Sequence, residues 1–152
     1  FLNLLRSGQV YDGSGKRASK QDLDKISYEI LTLRAPWRAE WLDAKFSIKS
    51  KKYNITYHKI NPDGTLKQVT EPLEDCIMES KTPGIDLEYW LNNATPQGLP
   101  SKKTNEGDLY YWCPLDGAVA WFRADSYGVN LNCGRDSQYS DAGLGVRVAR
   151  VK

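Results

Sequence analysis

The most reactive side chains in this sequence are the thiols of Cys76, Cys113 and Cys133 and the imidazole of its one histidine, His58. A cysteine acts as nucleophile or metal ligand in its thiolate form, and a zinc site needs several such ligands at short, regular spacing. No Cys-x-x-Cys pair and no Cys/His cluster occurs, so no metal and no cofactor is expected. With three thiols at least one stays unpaired, and a disulfide forms only if the chain meets an oxidising compartment. His58 has no serine or cysteine nucleophile set near it by the local pattern, which leaves a catalytic triad unsupported. The neighbouring carboxylates Glu74 and Asp75, and Asp22 and Asp24, suit a solvated surface or a helix cap better than an acid–base pair. These residues point away from an enzyme and towards a binding protein.

Five Trp and nine Tyr against three Phe give the chain many amphipathic aromatics, which supply contact area at low entropic cost. A net charge of +2 without a basic run argues against a nucleic-acid partner. Lys49, Lys51 and Lys52 read as a solvated turn. No apolar run is long enough to cross a membrane, so no direct membrane insertion is expected, and 1–10 is too short and interrupted to act as an export signal. The 152 residues fit a single domain, 1–152, with 1–18 as an N-terminal extension.

The elements that must position any site follow from spacing. Ser19 with Asp22 three residues on resembles a capping box, and Leu23, Ile26, Ile30 and Leu33 recur at helical period, so a helix is expected over 19–34, before Pro36. A strand is expected towards Ile48, then a hairpin of Tyr53–Ile60 and Leu66–Thr70 about the turn Asn61-Pro62-Asp63-Gly64. Ile85–Leu91 reads as a short helix, followed by a polar, mobile loop through Gly107. From Ala118 to Ser126 the residues alternate: Ala120, Phe122 and Ala124 face inward, Trp121, Arg123 and Asp125 outward. After a turn at Tyr127-Gly128 the same alternation returns, with Val129, Leu131 and Cys133 inward. A polar loop over 134–143 leads to a final strand carrying Val146, Val148 and Val151.

The frame Val119-Ala120-x-Phe122-x-Ala124-x-Ser126, Leu131-x-Cys133 and Ala142-x-Leu144-Gly145-Val146-Arg147 resembles the variable region of diversity-generating retroelement proteins, most of all the archaeal and archaeal-virus members. Trp41-Leu42-Asp43-Ala44-Lys45-Phe46 and Tyr110-Tyr111-Trp112 resemble the same group. The resemblance implies that a reverse transcriptase copies a template with errors at adenines and that the copy replaces the 3′ end of the gene. It implies a variable region at 118–147 and, as diversified ligand-binding positions, Trp121, Arg123, Asp125, Tyr127, Gly128, Asn130, Asn132, Gly134, Arg135, Asp136, Gln138, Tyr139, Ser140, Asp141 and Gly143. Two positions depart from the pattern: Ser137 stands in place of a proline and Val129 in place of an alanine.

The fold the resemblance implies is α+β and C-type-lectin-like: a small, mostly antiparallel sheet with two helices, a long loop-rich region, and the two termini in adjacent strands. The implied partner is a protein or glycan on a cell surface, and the implied location a virion surface or host cell surface. The calcium motifs of lectins are missing, since Glu71-Pro72 is followed by Leu73 and Trp121 by Phe122; Glu71-Pro72 reads as a strand end. Two alternatives remain: an oxidase of the formylglycine-generating type, which needs a close pair of reactive thiols, and a structural virion protein mounted through Phe1–Leu5 or Ser101–Gly107. On the binding reading, replacing Trp121, Arg123 and Tyr139 is expected to abolish binding and spare stability.

Overall fold

The protein is described here by a computed structural model, which covers residues 2–12, 14–32 and 37–145. The first helix, α1 (Leu2–Ser7), is docked: Leu5 is buried in the core, the Asn3 amide donates to the Leu91 carbonyl, and Arg6 pairs with Glu88. Within the segment 1–18, expected as an N-terminal extension, α1 thus packs against Glu88, Leu91 and the core. Helix α2 (Lys20–Leu31) starts where the capping box predicts, with the Ser19 hydroxyl accepting from the Asp22 N–H at 3.1 Å. It buries Leu23 and Ile30 and ends at Thr32. The last residues of the expected helix, 33 and 34, lie outside the described residues.

Strand β1 (Arg38–Lys49) is the long central element. It is followed by the expected hairpin, β2 (Lys52–Ile60) and β3 (Leu66–Pro72), whose turn places Gly64 at φ +81°. Pro72 closes β3, as the strand-end reading requires. Strand β4 (Lys81–Ile85) was not foreseen; it precedes helix α3 (Leu87–Asn93), capped by Asp86. Strands β5 (Leu109–Trp112), β6 (Val119–Asp125), β7 (Gly128–Arg135) and β8 (Leu144–Gly145) complete the set. Val146, Val148 and Val151 of the expected last strand lie outside the described residues.

The strands join in one eight-stranded sheet in the order β3-β2-β1-β6-β7-β5-β4, with β8 also on β1. The pairings are antiparallel except β5 with β7 and β1 with β8. The fold is therefore mixed α+β, as expected, but its sheet is large rather than small, and the described residues hold three helices rather than two. The loop after α3, expected to be polar and mobile, is anchored at Gly98 and Leu99. Leu99 is 4% exposed, and the Trp90 indole donates to the Gly98 carbonyl at 3.0 Å.

The core lies on one side of the sheet. Phe46, Ile55, Tyr111, Phe122, Leu131 and Cys133 gather there with Leu23 and Ile30 of α2 and Trp90 of α3. Its polar atoms are paired: the buried Tyr111 hydroxyl donates to the Ile77 carbonyl at 2.8 Å. The parity expected for β6 holds on this side, since Ala120, Phe122 and Ala124 are all buried.

Candidate functional site

The other side of the sheet carries the alternate residues of β1, β6, β7 and β5. Pairing sets Trp41 opposite Trp121, Arg123 opposite Asn130, and Trp121 opposite Asn132. Across the parallel pair, Tyr110 meets Asn130 and Trp112 meets Asn132. A continuous row of aromatic, amide and guanidinium groups results. Sequence reasoning missed Trp41, Tyr110 and Trp112 as members of this face, although the alternation about Tyr111 places Tyr110 and Trp112 on the side away from the core.

This face is not simply open to solvent, which corrects the expectation that Trp121 and Asp125 stand in water, while Arg123 is half-buried. Trp121 is 2% exposed and Asp125 6%, and Asn130 in β7 is 2% exposed. Trp121 is enclosed by rings from distant parts of the chain: Trp37 at 6.3 Å, Trp41 at 5.6 Å and Tyr139 edge-on at 5.6 Å. Two guanidinium groups complete the layer. Arg135 lies 3.7 Å over the Tyr139 ring and 4.6 Å over Trp121, and Arg123 lies 5.2 Å over Trp121. Each such contact is worth roughly 0.5–2 kcal/mol, the larger values when water is excluded. Removing Trp121 would therefore empty a packed site as well as change surface chemistry, so a loss of stability is expected with it.

The remaining implied positions divide by what holds them. Asp125, Asn132, Asp136 and Asp141 each turn a side-chain oxygen back to a backbone N–H two residues on, at 2.8–2.9 Å. These side chains fix the local chain path, a signal legible from Asp and Asn at turn-forming positions. Gly128 has φ +134°, and a Cβ there would meet the Tyr110 ring at 2.9 Å. At Gly143 a Cβ would meet the Trp37 carbonyl oxygen at 2.8 Å, and at Gly134 the Leu115 side chain at 2.9 Å. Tyr127 is 80% exposed, and Gln138 and Ser140 are exposed, so these three are the most freely exchangeable.

The electrostatics of the face are unbalanced. Arg123 pairs with Asp125 at 2.5 Å, whereas Arg135 has no carboxylate within 4.0 Å among the described residues. Five buried side-chain atoms of the described residues lack a hydrogen-bond partner, and four belong to this layer: Trp121 Nε1, Arg123 Nε, Arg135 Nε and Asn130 Oδ1. An unpaired buried polar atom costs about 1–3 kcal/mol, so four in one place are not neutral decoration.

No family model, no curated protein and no solved structure matches this chain.

The reactive groups lie elsewhere. All three cysteines are free. Burial pushes the Cys76 thiol up to about 11 and the Cys133 thiol higher, holding both protonated at neutral pH. Among the described residues, no three of His, Cys, Asp and Glu converge as a metal site would require. His58 is on β2, where its N–H donates to Asp43 at 2.7 Å and its Nδ1 lies 2.9 Å from the same carboxylate. Asp43 sits in the irregular stretch of β1 between Trp41 and Lys45, so the pair ties an interrupted strand to its neighbour. Two concavities, of about 250 and 730 Å³, flank Cys76 and β4; Lys102 and Met78 line both, and no implied ligand-binding position lines either.

Proposed function

We propose that the protein is a ligand- or receptor-binding display protein whose 118–147 region is diversified by adenine-directed mutagenic reverse transcription. On this reading it is not an enzyme, its scaffold is C-type-lectin-like, and it acts at a virion surface or host cell surface on a protein or glycan partner. The observation that carries the reading is the division of labour in β6 and β7. Alternate residues close the core, while the intervening ones gather with Tyr110 and Trp112 into one amphipathic face. Trp, Tyr and Arg are the side chains from which binding hot spots are built.

Support for the scaffold comes from the order of elements: a capped helix ahead of the first strand, and the late strand β8 beside β1. Support for binding over oxidase chemistry comes from Cys133, since a copper-binding pair of Cys113 and Cys133 works as thiolates and burial drives the Cys133 thiol the other way.

Sequencing the locus tests the reading without reference to any ligand. The expected result is a near-duplicate of the gene's 3′ end, with adenines in the codons for the outward positions, beside a reverse-transcriptase gene. A locus without that repeat, or with adenines in the codons for Ala120, Phe122 and Leu131 instead, contradicts it.

A further inference from the structure

We infer that the outward face binds an acidic sugar, its carboxylate held by Arg135, Arg123 and Trp121 and a hydroxyl held by Asn130. This rests on the ligand-binding reading of the face and adds the chemistry of what is bound. The unpaired atoms specify both halves of a ligand. Trp121 Nε1, Arg123 Nε and Arg135 Nε are donors and call for an acceptor, whereas Asn130 Oδ1 is an acceptor and calls for a donor. Of the two guanidinium groups stacked on Trp121, Arg123 has a carboxylate partner in Asp125 and Arg135 has none among the described residues, so the acceptor Arg135 fits is an anion.

The groups lie together. Arg135 and Arg123 both stack on Trp121, and Asn130 faces Arg123 across the β6–β7 pair. Beside Asn130 and Asn132, the rings of Tyr110 and Trp112 stand 6.0 Å apart at a tilt of 31° and offer an apolar platform. A sugar acid presents a carboxylate, hydroxyl donors and an apolar ring face in one unit. An acidic peptide can offer a carboxylate and a main-chain N–H but no apolar ring face for Tyr110 and Trp112.

Trp121 Nε1 is shielded, and the ring over Trp121 is Tyr139, from the loop over 136–143. Tyr139 is held there by edge contact with Trp121 and by stacking under Arg135. The bound sugar acid takes the place of that ring, so the loop yields on binding while the strands stay fixed.

The test is a titration of the full chain, followed by tryptophan fluorescence and calorimetry, with sialyllactose and with oligouronates, each against its carboxyl-reduced counterpart and against a glutamate-rich peptide. Carboxyl reduction is expected to weaken binding about tenfold or more, the effect of losing a charge-assisted hydrogen bond. Arg135→Gln is expected to erase the preference for the acid in a variant that still folds, with its denaturation midpoint lowered by the lost contacts with Tyr139 and Trp121. Equal binding of acid and reduced forms, absence of binding by every sugar acid, or tighter binding of the peptide overturns the inference. So does an Arg135→Gln variant that folds and keeps the preference. The locus test does not depend on these ligands, so the display reading survives or fails separately.

Discussion

Phe122 and Trp121 are neighbours in β6 and are both buried, at 7% and 2% exposure, but they enter interiors of opposite kind. Phe122 joins a core whose polar members are satisfied: the Tyr111 hydroxyl reaches the Ile77 carbonyl and the Trp90 indole reaches Gly98. Trp121 enters a layer of rings and guanidinium groups in which four polar atoms have no partner. One side is arranged for stability alone. The other holds donors and an acceptor in reserve at an energetic cost, which is the arrangement expected where a ligand completes the structure.

The largest effect expected is common to the two sides. Phe46→Ala and Trp121→Ala should each lower the stability measured by chemical denaturation by about 3–5 kcal/mol, the cost of emptying an aromatic site. If Trp121→Ala costs under about 1 kcal/mol, the outer layer is a solvated surface and the contrast between two interiors dissolves. Next in size is Gly128→Ala. Its φ of +134° and the Tyr110 ring, 2.9 Å from the added Cβ, predict a loss of about 1–3 kcal/mol by the same measurement. A tolerated alanine there would make Gly128 a free outward position instead of the seat of Tyr110.

Much of the inner side is legible in the sequence. The two-residue period of 118–126 and 129–134 reports which side chains share a side, and Ser19 with Asp22 marks the start of α2. The outer layer is not legible in the same way. Alternation tells where a side chain points but not what comes to rest on it, and Trp121 is covered by Trp37 and Tyr139, from segments on either side of it in the chain. Strand β4 was hidden for a different reason. Its sequence Lys-Thr-Pro-Gly-Ile carries a proline and a glycine, signals against a central strand, and it forms at the sheet edge with a shifted register. Gly84 is there because the β5 backbone comes so close that no Cβ fits: one would fall 1.7 Å from the Leu109 carbonyl oxygen. Helix α1 has too few residues to announce itself, and only its contacts with α2 and with Leu91 and Glu88 show where it packs.

The smallest stability change is also the sharpest probe, because it sets function against stability at one residue. Asn130→Val adds only about one methyl of volume at a strand position 2% exposed and removes the unpaired Oδ1. Chemical denaturation should place the variant within about 1 kcal/mol of the parent or above it. A loss of about 2 kcal/mol or more would mean that Asn130 serves the fold itself, and that the unmatched polar atoms of this face are not held for a ligand.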